Sequence, residues 1–81
     1  MESNESVKVV IYTRAGCHLC EEAHEMLCEF GLAPTLVDID ADPELRKQFD
    51  TCVPVVEIED KIRFRGRVDR MLLRRILRNQ R

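Results

Sequence analysis

The chain has 81 residues, 44% apolar and 35% charged, with a formal charge of −2. A chain of this length is expected to form one small domain, residues 1–81, burying about 60–65% of the surface its unfolded form exposes. No apolar run is long enough to cross a bilayer, and the opening "MESNESVKVV" lacks the basic flank and apolar stretch of a signal peptide, which argues against membrane and secreted readings.

The expectation is therefore a cytoplasmic protein whose 4 cysteines are kept reduced rather than locked in a disulfide framework. The charge is unevenly divided: residues 1–60 hold 4 basic and 14 acidic side chains, residues 61–81 hold 9 basic and 1 acidic. A basic tail invites a nucleic-acid reading. This one carries an apolar helical stripe and a single aromatic, Phe64, and without stacking rings a folded basic helix is more often a solvated face. Nucleic acid and membrane are not expected as partners, and a monomer is expected.

Residues 1–6 are polar and expected to be loose. "VKVVIYT", Val7 to Thr13, is β-branched and almost continuously apolar, the pattern of a strand covered on both faces. The turn "RAG" leads into a helix whose apolar face is Leu19, Ala23, Met26, Leu27 and Phe30, ended by Gly31. A second strand is predicted from Thr35 to Ile39. Asp42 caps a short helix with Pro43 in its first turn and Leu45 and Phe49 facing inward. "VPVVEIEDKIRF" reads as a hairpin turning at Glu59–Asp60. A last helix is predicted from Val68 to Arg78, with Met71, Leu72, Ile76 and Leu77 on its buried side.

A strand–helix–strand unit requires parallel strands and a right-handed crossover, and the hairpin adds an antiparallel edge. The order strand, helix, strand, helix, strand, strand, helix thus predicts an α/β fold, a four-stranded mixed sheet with helices on both faces. Chemistry in such a sheet gathers at the carboxyl end of the first strand. "CHLC", Cys17 to Cys20, stands there, at the start of a helix.

Cysteines spaced this way serve both zinc ribbons and redox motifs, so the surroundings decide. At a helix N-terminus, unpaired N–H groups and the dipole stabilise an anion, lowering a thiol's pKa. Cys17 is the exposed thiolate that attacks a disulfide. Cys20, one turn deeper, resolves the mixed disulfide by attacking Cys17. Arg14 and His18 add nearby positive charge, unless His18 simply points to solvent.

"YTRAGCHLCEEA" after a β-branched strand, "LVDIDADPELRKQF" in the middle and "VPVV" before a hairpin resemble the glutaredoxin-like family of the thioredoxin superfamily, in its small Cys-His-Leu-Cys branch. The resemblance runs from Val7 to about Leu77. It implies a thioredoxin-like fold and thiol–disulfide oxidoreductase activity on protein disulfides or glutathione mixed disulfides. Pro54 matches the family's cis-proline, which would turn the backbone of Val53 toward a bound peptide or glutathione as a short added strand. Arg14 stands where the family places a lysine that holds the glutathione carboxylate. Asp69 matches the aspartate of the family's Gly-Gly-Asp pattern, as does Gly66, while Arg65 replaces the other glycine and Cys52 replaces a threonine. Glutathione or a protein thiol remains open as partner. No resident cofactor is expected, with glutathione a candidate co-substrate.

Cys20, His24 and Cys28 recur at steps of four and raise a metal reading, with Cys17 as a fourth ligand. Residues eight apart on a helix are separated by ~12 Å, too far for one ion, so no metal site is expected and Cys28 reads as a surface cysteine. Cys52, beside Pro54, reads as a filler of a threonine-sized position, with an extra resolving thiol, or a ligand alongside Cys17 in an iron–sulfur site bridging two chains, as the alternatives. The competing class is thus a binding module of the same fold, holding metal or a protein partner without turnover. Acidic Glu21, Glu22, Glu25 and Glu29 on the first helix can meet Arg70, Arg74, Arg75 or Arg78 of the last, one account of the charge division; a docking surface for an acidic partner protein is the alternative.

Overall fold

The computed structural model describes residues 7–49 and 53–79. The chain forms Val9–Thr13 (β1), His18–Glu29 (α1), Thr35–Asp38 (β2), Pro43–Phe49 (α2), Val55–Ile58 (β3), Lys61–Arg65 (β4) and Arg70–Asn79 (α3). The sheet order is β2-β1-β3-β4. β1 runs parallel to β2 and antiparallel to β3, and β3 and β4 form the hairpin. The predicted α/β class and mixed sheet are borne out.

The side chains of β1 explain its central place. Ile11 lies between Leu36 of β2 and Val56 of β3 in register. Its β-branched neighbours fit a pleated surface packed on both faces. Val9, Ile11, Val56, Ile58 and Phe64 point to one face, where α1 contributes Ala23 and Leu27 and α3 contributes Leu73, Ile76 and Leu77. On the other face a smaller cluster joins Ile39, Phe49 and Val55, with Tyr12 packed on Phe49 at 4.8 Å between ring centroids. Helices therefore cover both faces, α1 and α3 on one and α2 on the other.

The ends of α1 are set by local chemistry. Cys17 is its N-cap. At the other end Gly31, with φ 80°, allows the left-handed turn in which Leu32 N–H reaches the Leu27 carbonyl and Gly31 N–H that of Cys28. Asp42 caps α2 as predicted, its Oδ1 accepting from Glu44 N–H at 2.9 Å. The Glu59–Asp60 turn is also as predicted. Both residues take positive φ, 52° and 68°, the two-residue hairpin geometry normally given to Asn-Gly. Lys8 secures that turn from outside: its N–H donates to Glu59 Oε1 at 2.9 Å and its ammonium pairs with Asp60 Oδ1 at 2.8 Å.

Four expectations are corrected. β2 ends at Asp38 rather than Ile39, because Asp38 Oδ1 accepts from Asp40 N–H at 2.9 Å and pulls residues 39–41 into a 3-10 turn. The strand before α1 begins at Val9 rather than Val7. The buried stripe of α3 is Leu73, Ile76 and Leu77, whereas Met71 is 72% and Leu72 41% exposed. Asp69 fixes that phase: with helix starting at Arg70, residues three, six and seven positions on fall toward the sheet. Leu19, predicted within the apolar face of α1, is 37% exposed at its first turn.

Of the pairs expected between α1 and α3, the structure holds Arg70 to Glu29 at 3.0 Å, with the Arg70 guanidinium 5.6 Å from the centre of the Phe30 ring. Among the described residues, no helix is long and apolar enough to cross a membrane.

Candidate functional site

β1 ends at Thr13, and a turn containing Gly16 at φ 79° delivers Cys17 to the start of α1. Cys17 is half-buried and takes extended backbone angles, φ −90° and ψ 106°. That conformation aims Sγ back over the first turn, where it accepts from Cys20 N–H at 3.1 Å. A negative sulfur in this position gains a backbone donor and the positive end of the helix dipole. Cys20 is 4% exposed. The two Sγ atoms stand at disulfide-bonding distance, with Cα atoms 5.2 Å apart, so one sulfur is presented at the surface and its partner waits beneath.

His18 is 92% exposed at its side chain, and its Nδ1 lies 3.3 Å from Glu21 Oε2. Any charge it carries is therefore shared with Glu21 at the solvent side. Arg14 donates twice to Asp40, from Nη2 to Oδ1 at 2.8 Å and from Nε to Oδ2 at 3.2 Å. That guanidinium, and secondarily Arg46, holds the Asp40 carboxyl below its ordinary 3.8.

The register brings the other expected residues to the same end of the sheet. Tyr12 pairs with Val55, so Pro54 lies level with the end of β1. The Val53–Pro54 peptide bond is cis, Pro54 is buried and Val53 half-buried. Gly66 N–H donates to the Pro54 carbonyl at 2.7 Å, tying the turn after β4 to the start of β3. Asp69 sits beyond that turn and caps α3: its Oδ1 accepts from Met71 N–H at 2.9 Å and Leu72 N–H at 3.1 Å. Both Arg14 and Asp69 thus have internal partners for their charged groups.

Cys52 lies outside the described residues. Cys28 is an exposed free cysteine, its Sγ 3.8 Å from His24 Nε2. Among the described residues, no group of three or more His, Cys, Asp or Glu side chains could hold a metal ion.

Sequence reasoning missed an open groove of about 680 Å³ that runs from the cysteines between α1 and β2. Its walls include Arg14, Cys17, Glu21, His24 and Glu25 on one side and Leu36 and Asp38 on the other. The spacing of positions 17, 21, 24 and 25 along one side of a helix was the available signal. Their opposition to an edge strand is not visible without the fold.

The model of the "Glutaredoxin-like domain (DUF836)" family matches residues 8–78. A Dictyostelium discoideum protein, "Glutaredoxin-like protein YDR286C homolog", is 36% identical over 79% of this chain and 68% of its own. A shorter match, 40% identical, to Glutaredoxin-C1 of Oryza sativa subsp. japonica takes in 43% of this chain and 34% of that protein. The fold is thioredoxin-like, shared with solved structures such as the X. campestris protein XcR50, at a TM-score of 0.74 and 32% identity over 88% of this chain and 96% of that one. With its cysteine pair at the start of α1 and a family match over nearly its whole length, the chain belongs to the glutaredoxin-like family.

Proposed function

We propose that the protein is a thiol–disulfide oxidoreductase using Cys17 and Cys20 as its dithiol. One observation carries this reading: the Cys17 sulfur caps α1 and accepts from Cys20 N–H at 3.1 Å, with the Cys20 sulfur in bonding reach.

The reaction begins with the reduced pair. The Cys17 thiolate attacks one sulfur of a substrate disulfide, forming a mixed disulfide and releasing the other substrate sulfur as a thiolate, which takes a proton from water. Cys20 then loses its proton and attacks the Cys17 sulfur. The Cys17–Cys20 disulfide forms, the second substrate thiol leaves with a proton, and two electrons have passed to the substrate. Two external thiols, from two glutathione molecules or one dithiol protein, return the pair to its reduced state and leave as a disulfide. The buried position of Cys20 suits the second step, because an intruding substrate meets Cys17 first.

In this reading the substrates are protein disulfides, glutathione mixed disulfides among them. Val53 and Pro54, at the start of β3 level with the end of β1, serve the substrate in this reading, the Val53 backbone pairing with it as a short added strand. Arg14 contributes from the groove wall, where Asp40 holds it, and Asp69 from the first turn of α3 that it caps. The protein works as a monomer in a reducing compartment such as the cytoplasm, where the dithiol is recharged.

The test is a reductase assay on the reduced protein, coupled in parallel to glutathione with its reductase and to a thioredoxin reductase. The wild type turns over in at least one arm, Cys17→Ser in neither, and Cys20→Ser only where a single cysteine suffices. Turnover that survives Cys17→Ser removes the proposed nucleophile.

A further inference from the structure

The groove beside the dithiol has a charge character of its own. Along α1 its wall extends from Cys17 to Glu25. Eight residues at 1.5 Å each give ~12 Å, room for about three or four residues of extended peptide. Across from it runs β2, an edge strand whose Leu36 is 54% exposed. An aliphatic side chain would bury against Leu36 there.

Around that apolar seat stand three carboxylates, Glu21, Glu25 and Asp38. His18 compensates Glu21 only when protonated. Among the described residues no ion pair reaches Glu25 or Asp38. The cation on the same wall, Arg14, is engaged by Asp40 through two hydrogen bonds. The groove therefore presents net negative charge to whatever chain flanks the disulfide at Cys17.

Building on the thiol–disulfide activity proposed above, we infer that this groove seats an extended, cationic segment of a substrate protein, with Lys or Arg against Glu21, Glu25 and Asp38 and an aliphatic side chain against Leu36. The exchange chemistry is unchanged. The groove decides which disulfide is presented, favouring those flanked by basic residues over those flanked by acidic ones. Attraction in one case and repulsion in the other, at open and solvated positions, amounts to about tenfold between the two extremes. It fades with salt, as interactions between exposed charges do.

The test uses the full chain, reduced, and three peptides of equal length. Each carries one cysteine in a mixed disulfide with 2-mercaptoethanol, flanked on both sides by Lys-Leu-Lys, Ser-Leu-Ser or Glu-Leu-Glu. Each rate is divided by that of the same peptide with dithiothreitol, which removes intrinsic reactivity. The expected kcat/KM order is Lys, Ser, Glu, with about tenfold between the extremes at low salt and less than about threefold at 0.5 M. In Glu25→Lys/Asp38→Asn the Lys-to-Glu ratio collapses or inverts, and Glu25→Gln gives an intermediate ratio if the double variant does not fold. Equal corrected rates with wild type, or a preference unmoved by these substitutions, overturn the inference and leave the redox activity standing. Rates per molecule that fall as protein concentration rises also overturn it, placing the basic α3 of a second copy in the groove. Reduction of none of the peptides overturns the redox reading and this inference with it.

Discussion

Replacing Asp69 separates two roles that its position leaves in competition, ligand contact and helix cap. Its Oδ1 accepts from the N–H groups of Met71 and Leu72, while its carbonyl accepts from Leu73 N–H at 2.8 Å. This is the full N-cap pattern, and removing such a side chain costs about 1 kcal/mol, within a range of roughly 0.5–2. The carboxylate charge at the N-terminus of α3 adds about 0.3–1 kcal/mol. The loss is felt globally because α3 carries Leu73, Ile76 and Leu77 into the core. Asp69→Ala should therefore cost about 1–2 kcal/mol in all, and Asp69→Asn, which keeps an acceptor, about 0.3–1. At 4–8 °C per kcal/mol for a chain of this size, these are drops of about 4–16 °C and about 1–8 °C in Tm. Thermal melts followed at 222 nm give the order wild type, Asn, Ala. Steady-state kinetics well below the lowest transition should show KM for a disulfide substrate within about twofold for Asp69→Asn, since a loss confined to the cap leaves binding alone. An Asn variant as stable as wild type with KM raised tenfold would refute the capping argument and make the carboxylate a ligand contact.

Other consequences can be measured directly. Leu73→Ala, at a fully buried position, should cost about 2–5 kcal/mol in denaturant unfolding. Met71→Ala, 72% exposed, should change stability by no more than about 0.5 kcal/mol. The reverse order would mean that the phase of α3 is wrong. Replacing Asp60 by Gly relieves a positive-φ residue at 68° and should raise stability unless loss of its ion pair with the Lys8 ammonium outweighs it; adding Lys8→Ala to both backgrounds removes that pair from the comparison, and no gain there contradicts the turn assignment. Because the Asp40 carboxyl titrates below 3.8 in the folded chain, its contribution to stability is present above that pH and lost as pH falls through the folded value. Carboxyl NMR should show the Asp40 midpoint rising toward 3.8 in Arg14→Gln, and an unmoved midpoint would deny the Arg14 contact its effect.

Much of the architecture was legible because strong local signals agreed. Gly31, Asp42 and the Glu59–Asp60 turn mark boundaries by backbone chemistry that acts over three or four residues, and each boundary falls where that chemistry places it. The position of the cysteine pair followed from the strand–helix order, since only one end of β1 meets the start of α1. The phase of α3 was not legible. "RMLLRRIL" offers overlapping apolar stripes, and the choice between them rests on where Asp69 starts the helix, a matter of one hydrogen-bonded turn. Ile39 misled in the same way: an apolar residue after a strand continues the pattern, but the Asp38 side chain turns the backbone off the sheet.

At the site, the cysteines declared themselves by spacing and setting, whereas the ion pair of Arg14 with Asp40 joins residues 26 apart in the chain. The acidic groove has the same origin. Glu25 and Leu36 become neighbours only once β2 pairs in parallel with β1 and α1 packs across their face. Long-range placement of this kind is a property of the fold, and the helical stripe holding Glu21 and Glu25 has nothing in it that distinguishes a groove wall from a solvated face.

The division of labour between the two sulfurs is open to one direct measurement. Cys20→Ser, reduced and then exposed to a disulfide peptide, is read by intact mass and by peptide mapping under conditions that preserve disulfides. The account predicts a covalent adduct of one substrate thiol on Cys17, released by dithiothreitol, with no such adduct at Cys17 accumulating in wild type because Cys20 resolves it. An adduct found on Cys28 or Cys52 while Cys17 stays unmodified would contradict it.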